Sequence, residues 1–316
     1  MRELAAIAAF ALAVALLPVF VASGFLLNLA IMVLYTTLLG QAWNLLAGFG
    51  GQYSFGHALF FGTGAYTTAA LQVHLGMNAW LALPIAVACG VAAGLLVGAL
   101  SFRYGLRGST FALITLAFAE VARVLANSVA FTGGGVGLLL PLKESVADMQ
   151  FQSKAAFLYL ILALVLAGFF VSWWLKRSRF GAWLAAVRDG EDSAAALGVD
   201  VFRVKLAAIA MSAALMAAGG VFYVQYFHYL DPHIAYGPAV SVEALLGPIV
   251  GGLGTVFGPL LGAAVLQLLG EATRNFAGDL PGLSLVVYGV ALVGMVMFLP
   301  RGLAGLFGRG EPARSA

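Results

Sequence analysis

Residues 155–175 read AAFLYLILALVLAGFFVSWWL, a run of 21 positions without one charged side chain. Lysines stand at both ends of the run, at Lys154 and Lys176. An α-helix rises about 1.5 Å per residue, so the run is about 30 Å long, which is the thickness of the hydrocarbon core of a bilayer. The stretch therefore predicts a helix that crosses a membrane.

The rest of the chain repeats this pattern. The chain has 316 residues, of which 62% are hydrophobic and 9% charged, whereas a soluble domain has about 25% charged residues. The apolar stretches are continuous and do not alternate, which excludes a transmembrane barrel. We predict an all-α polytopic membrane protein, with further spans at Leu4–Val21, Phe25–Ala47, Tyr53–Val73, Trp80–Leu100, Thr110–Phe131, Val204–Tyr229 and Leu283–Leu299.

One stretch, Ser241–Leu269, is too long for one span and too short for two full ones. Gly247-Pro248 and the glycines near Leu253 interrupt it. Cytoplasmic loops carry an excess of basic residues, and a hairpin of two short helices satisfies this rule better than one crossing. We therefore predict about 8–10 membrane segments, some short or broken, with both termini cytoplasmic. This topology places inside Arg2, Arg103, Arg107, Lys176, Arg177, Arg179, Arg188, Arg203, Lys205, Arg301, Arg309 and Arg314, and outside Lys143, Lys154 and Arg274.

These spans divide the chain into three parts. Residues 1–24 form a first span, and its length favours a retained helix over a cleaved signal peptide. Residues 25–305 form the main transmembrane domain, with a cytoplasmic loop at 176–205. Residues 306–316 form a cytoplasmic tail.

Glycine is abundant and unevenly placed. Two ladders at every fourth residue predict close helix packing: Gly90, Gly94 and Gly98, and Gly254, Gly258 and Gly262. A denser glycine cluster between residues 48 and 64 surrounds Gln52, Ser54 and His57. It indicates either an interrupted helix lining a transport pathway or an ordinary turn between two spans.

Acidic and basic side chains also lie within predicted spans. Glu120, Arg123 and Asn127 share one helix face, and charges inside a membrane pair with one another or face a cavity. They are candidates for a pathway or for an ion pair that locks the bundle. Glu243 is a further pathway candidate, or it complements a helix N-terminus that Ser241 caps.

The longest polar segment predicts a short cytoplasmic helix. Asp189 follows Arg188 and is placed to cap the helix, and the sequence ends it with a glycine. The helix would be either a docking surface or a solvated loop element. Its remaining members are Glu191, Asp192, Ala194, Ala195, Ala196 and Gly198.

Signatures of other functions are missing from the sequence. No Gly-Lys dipeptide occurs, so the chain has no P-loop for nucleotide hydrolysis. One cysteine, Cys89, and four dispersed histidines predict neither a disulfide nor a metal site. No basic stripe with aromatic residues indicates nucleic-acid binding. We predict no catalytic residues and no cofactor.

Five motifs in order resemble one family. They are NLLAGFGGQYSFGH at 44–57, GTGAY at 62–66, TGGGVGL at 132–138, AAALGVDVFRVK at 194–205 and GGLGTVFGPLLG at 251–262. Together they resemble the larger, M-type permease subunit of branched-chain amino acid ABC importers, over about residues 25–305. Tyr53 and Phe55 depart from the smaller aliphatic residues common in that family.

The resemblance implies an importer permease fold and a set of partners. These are a second, homologous permease subunit in a heterodimer, two cytosolic ATPase subunits, a periplasmic solute-binding protein and the lipid of a bacterial inner membrane. It also implies that residues 188–198 form the coupling helix that docks in an ATPase groove.

Three other functions compete with this interpretation. Urea and short-chain amide importers share the permease family. An ion-coupled secondary transporter could use Glu120 and Glu243 as proton sites. An enzyme acting on a lipid carrier would need an acidic or metal-binding cluster at the interface, which the sequence lacks.

Overall fold

A computed structural model describes residues 2–21, 23–143, 145–277 and 302–307, with residues 286, 289–290, 293–294 and 297 between the last two ranges. The described part is almost entirely helical and contains seven helical stretches long and apolar enough to cross a membrane. The helices are α1 (Arg2–Phe20), α2 (Gly24–Asn44), α3 (His57–Leu75), α4 (Ala79–Arg103), α5 (Gly108–Ser128), α6 (Lys154–Arg177), α7 (Arg179–Asp189), α8 (Glu191–Ala196), α9 (Val201–Phe227), α10 (Pro232–Tyr236), α11 (Pro238–Gly251) and α12 (Gly258–Ala277).

Most predicted spans are confirmed to within a few residues, with two corrections. The span predicted from Tyr53 begins as α3 only at His57, and the one predicted to reach Phe131 ends at Ser128. Glycine-rich backbone at 50–56 replaces the helix in the first place, and two single 3-10 turns, Ala130–Thr132 and Gly134–Val136, follow α5 in the second. The predicted span Leu283–Leu299 lies largely outside the described residues, as does most of the C-terminal tail.

The helices bring the basic loops together at one end of the bundle, which we call the basic end. There Lys176 Nζ pairs with Glu3 Oε1 at 2.7 Å, and Arg107 Nε pairs with Glu191 Oε2 at 2.9 Å. At the other end, the loop end, Trp80 Nε1 donates to the carbonyl oxygen of Val146. The cytoplasmic side predicted from charge therefore corresponds to one physical end of the described structure.

Helices α3, α4 and α9 pack closely against one another. The first glycine ladder packs as predicted, because a β-carbon on Gly94 would lie 2.7 Å from that of Ala213 in α9. On either side of it, Gly90 faces Ala217, and Gly98 faces the Ile209 side chain. Close backbone approach thus holds α4 against α9 without large side chains.

The stretch Ser241–Leu269 is a hairpin of α11 and α12, as charge counting predicted. Gly262 packs directly on the backbone of Gly247. The second predicted ladder is only partly right, because Gly254 lies in the turn at φ +67° and not on a helix. Only its other two members pack α12 against α11.

The loop end carries a short antiparallel ribbon. β1 (Leu138–Leu139) pairs with β2 (Tyr229–Leu230), and Leu138 stands opposite Leu230. The ribbon closes the glycine-rich loop over the start of α10, since a β-carbon on Gly137 would collide with the carbonyl oxygen of Leu230. This brings α10 against α3 and α5.

Candidate functional site

The glycine cluster contains a true interruption of helical structure. After α2, residues Leu45–Phe49 form a π-turn, and α3 begins at His57. We call residues 50–56 the helical break. Side chains alternate along its second half: Gln52 and Ser54 point into the protein, whereas Tyr53 and Phe55 are exposed. The break is thus an extended segment with a polar inner side and an aromatic outer side.

A chain of hydrogen bonds fixes the inner side of the break. His57 is fully buried, with Nδ1 3.2 Å from Ser54 Oγ and Nε2 2.9 Å from Ser212 Oγ of α9. The Ser212 hydroxyl donates to the carbonyl oxygen of Ala42, so Ser212 accepts from His57 and the ring carries its proton on Nε2. Trp43 Nε1 donates to the carbonyl oxygen of Ser54. The network ties α2, α3 and α9 to the break.

Glycine is required at two places in the break. Gly51 has φ +68°, and a β-carbon there would lie 2.7 Å from Cγ of Arg188. A β-carbon on Gly56 would collide with the backbone carbonyl of Thr115 in α5. The break therefore touches α7 on one side and α5 on the other, where Thr115 Oγ1 accepts from the Phe55 amide.

The prediction that Ser241 caps its own helix is wrong. Ser241 lies inside α11, and its hydroxyl accepts from the amide of Ala58, in the first turn of α3. It caps α3 because the break brings that exposed helix start against α11. Glu243, two residues further along α11, accepts from Thr36 Oγ1 at 2.8 Å, which is where the structure places this pathway candidate.

The polar residues of α5 lie on the surface of the chain. Glu120 and Arg123 form a two-pronged ion pair, with Arg123 Nε 2.9 Å from Glu120 Oε2. The guanidinium also lies 3.4 Å from Nδ1 of His233 in α10. Asn127 is exposed one turn further along the helix. These three candidates are therefore together but do not contact Gln52, Ser54 or His57 in the described structure.

The predicted cytoplasmic helix exists, but it is shorter than predicted. Asp189 ends α7, and Gly190 precedes α8, so the capping role predicted for Asp189 is wrong. The chain turns between two helices at this point, and Arg188 and Asp189 belong to the first of them. Gly198, at φ +85°, follows the end of α8 as predicted.

The predicted coupling residues divide between two sides of this region. Glu191 and Ala194 face the protein, and the Glu191 side chain is only 12% exposed. Asp192 (87% exposed), Ala195 and Ala196 face outward. Leu197 is 83% exposed and stands at the mouth of a cavity of about 470 Å³ lined by Phe180, Trp183, Gly198, Val199, Asp200, Arg203, Val204 and Ala207.

Sequence reasoning missed the partners of these groups. Lys205 is 2% exposed and pairs with Glu191 at 2.7 Å, and Arg107 binds both Glu191 and Asp192. Arg107 lowers the pKa of the Asp192 carboxyl through their hydrogen bond. One signal was available, because Lys205 is a charge within the first turns of an apolar span and therefore needs a partner.

The seven long apolar helices of the described structure define the class as an all-α polytopic membrane protein. The family model described as the permease component of the branched-chain amino acid transport system matches residues 25–296, and the chain belongs to this family. It is accordingly a transport permease and not an enzyme.

Individual relatives agree with this family. The chain is 30% identical over 300 residues to the high-affinity branched-chain amino acid transport system permease protein LivM of Salmonella typhimurium, covering 87% of this chain and 69% of that protein. The LivM protein of Escherichia coli matches to the same extent. This chain is also 22% identical to a probable branched-chain amino acid transport permease protein LivH of Methanocaldococcus jannaschii, over 77% of this chain and 80% of the LivH protein.

Proposed function

We propose that the chain is the permease subunit of an ATP-driven importer of branched-chain amino acids, forming half of a translocation pathway and coupling to cytosolic ATPase subunits. The family and the similarity to the two LivM proteins support the substrate class. The observation that carries the coupling is the outward side of α8 with its neighbouring cavity.

The outward side of α8 suits a protein partner. Ala195, Ala196 and Leu197 present a small apolar surface beside a cavity that Leu197 also lines, and contiguous exposed apolar surface is typical of a protein-binding site. The surface lies among the basic loops that charge counting assigns to the cytoplasm. In the proposed complex an ATPase subunit covers it, and both termini of this chain lie on the same side of a bacterial inner membrane.

The pathway is proposed along the exposed face of α5 and the outer side of the break. A Glu120–Arg123 ion pair is costly against lipid, so this face lies against water or another polar protein surface. The second permease subunit supplies the opposite wall in the proposed heterodimer. Gln52, Ser54 and His57 hold the break from inside, and Tyr53 and Phe55 project from it.

In the proposed mechanism no covalent chemistry occurs in this chain. A periplasmic solute-binding protein delivers the amino acid at the loop end, and ATP-driven closure of the ATPases displaces α8. The displacement switches the pathway between outward-open and inward-open by rigid-body movement. Domain boundaries at 24 and 305, with a tail at 306–316, belong to the same proposal.

Co-purification of the tagged chain from its own membranes tests the docking surface. We expect ATPase subunits, a second permease and, in the presence of leucine, a soluble binding protein. Leu197→Asp places a charge on the outward side of α8 and should remove the ATPases from the purified complex. Leu142→Asp is the matched control, because Leu142 is similarly exposed but lies in the loop between β1 and α6. Equal ATPase recovery from both variants would contradict docking at α8.

A urea or short-chain amide cargo is the alternative within this architecture. The ligand of the co-purified binding protein distinguishes the two cargoes directly. An ion-coupled transporter is distinguished by uptake that a pH gradient drives without the ATPase subunits.

A further inference from the structure

We propose that Glu191 is a positioning residue that transmits the displacement of α8 to the helical break and to α5, and that it does not itself contact the ATPase. The inference rests on the proposed function, since it assigns a role within the ATP-driven coupling. It separates two functions of a coupling segment, which are binding the ATPase and transmitting its movement to the membrane-spanning helices.

The Glu191 carboxylate joins three elements at once. Its Oε1 accepts from Lys205 Nζ of α9 at 2.7 Å and from Gln52 Nε2 of the break at 3.3 Å. Its Oε2 lies 2.9 Å from Arg107 Nε, immediately before α5 begins. A displacement of α8 therefore acts through one side chain on the break, on α5 and on α9.

Burial makes these contacts stiff. The Lys205 ammonium is almost completely enclosed and lies 4.5 Å from the centre of the Phe102 ring. A buried ammonium without a counter-ion is strongly unfavourable, so Glu191 cannot move away from Lys205 without stranding the charge. When α8 moves, Glu191 and Lys205 therefore move together. If Lys205 stays in place, the ion pair opposes the movement of α8.

The break is the non-helical member of this group, and the hydrogen bonds of His57 fix its end at Ser54 and not its start. Outside the π-turn, residues 50–56 lack the repeated hydrogen bonds of a helix, and such segments open more easily than packed helices. Its connection to the cytoplasmic helices is doubled, because Arg188 at the end of α7 packs on Gly51 of the break, where a β-carbon would lie 2.7 Å from Cγ of Arg188. Arg188 Nη1 also donates to the carbonyl oxygen of Gly48, in the π-turn just before the break, at 3.3 Å. Both sides of the α7–α8 turn thus bear on the same segment.

Glu3 provides a matched control at the same end of the bundle. Its Oε1 accepts from Lys176 Nζ at 2.7 Å, the same distance as in the Glu191–Lys205 pair. Glu3 lies in α1, outside the proposed docking surface, and has no contact with the break or with α8 in the described structure. A role in transmission should therefore belong to Glu191 and not to Glu3.

The test uses the complete complex in proteoliposomes with radiolabelled leucine and the binding protein. The chain has one cysteine, so Cys89→Ser with Tyr53→Cys leaves a single thiol on the exposed side of the break. We measure the rate at which a maleimide modifies this thiol with and without ATP, the ATPase recovered with the complex, and the leucine transported per ATP hydrolysed.

We expect Glu191→Gln to keep the ATPase subunits bound, to abolish the ATP-dependent change in the labelling of the thiol at position 53 and to lower leucine per ATP at least tenfold. Glu3→Gln should retain the ATP response of its parent. If Glu191→Gln is not recovered folded, the neutral double variant Glu191→Gln with Lys205→Gln removes both charges and should show the same uncoupling.

Unchanged leucine per ATP in the variant would overturn the inference, and so would loss of ATPase binding, because that result makes Glu191 a docking residue. These outcomes are read only against the parent complex. A parent complex that takes up no leucine with ATP would instead contradict the proposed function.

Discussion

Nε2 of His57 lies 2.9 Å from the hydroxyl oxygen of Ser212, and both residues are fully buried. Ser212 is seven residues from Lys205 along α9, which is about 10 Å of helix. The histidine therefore holds the start of α3 to α9 well inside the bundle from the basic end. Its second nitrogen faces Ser54, so the ring fixes the conformation of the helical break.

Replacing His57 by alanine should destabilise the protein by about 2–4 kcal/mol. The substitution removes two buried hydrogen bonds, at about 0.5–1.5 kcal/mol each, and opens a cavity. The thermal midpoint of the detergent-solubilised protein measures the change. His74→Ala is the control, because His74 is an exposed residue near the other end of the same helix. Equal midpoints for the two variants would contradict the structural role of His57.

Gly56→Ala should prevent the break from packing against α5, because the added carbon meets the backbone carbonyl of Thr115, which cannot rotate away. We expect a large loss of monodisperse protein on size-exclusion chromatography. Gly270→Ala in α12 meets nothing within 4 Å and should be neutral or slightly stabilising, since alanine favours helix over glycine. A normal yield of Gly56→Ala would show that the break and α5 are not in contact.

Neutralising one member of the Glu120–Arg123 pair should reduce membrane insertion and leucine uptake more than neutralising both. Glu120→Gln or Arg123→Gln leaves one unpaired charge within a span, which is less favourable than a paired charge during membrane insertion. The double variant leaves two neutral polar groups. Membrane insertion and leucine uptake of the three variants measure the effect. Single variants that match the double variant would argue against a coupled pair on this face.

The stabilising contribution of the Arg107–Asp192 ion pair should decrease in acid and at high salt. Arg107 lowers the pKa of the Asp192 carboxyl, so the stabilising bridge is fully present above the usual aspartate pKa of about 3.9. The contribution is lost as the pH falls through the lower, folded-state value. Since the pair is exposed, salt at about 1 M should also remove the difference in thermal midpoint between Asp192→Asn and wild type at neutral pH. A difference that persists in salt would place the pair in a shielded environment.

Hydrophobic length and charge predicted most of the fold. The hairpin at Ser241–Leu269 followed from the distribution of basic residues, and the ladder at Gly90, Gly94 and Gly98 followed from its spacing. Helix ends were harder, because Ser241 and Asp189 have capping side chains but the neighbours that decide their use come from distant parts of the chain.

The site shows the same division. The sequence located the break from its glycines and located Glu191 from the polar segment that predicts a short cytoplasmic helix. It could not reveal that Glu191 faces inward, since this depends on Lys205, Gln52 and Arg107 meeting it in space. Glu120 and Arg123 pair as neighbours three residues apart on a helix should, whereas His233 joins them only because the loop-end ribbon carries α10 to α5.

The most direct measurement is leucine uptake into vesicles that contain this chain, the second permease, the ATPases and the binding protein. With wild-type ATPases, uptake should require ATP on the side of the membrane where those subunits lie, and it should persist when the pH gradient is collapsed. With ATPases that bind but do not hydrolyse ATP, uptake should stop. Uptake that survives the loss of hydrolysis, or that a pH gradient alone drives, would contradict the account.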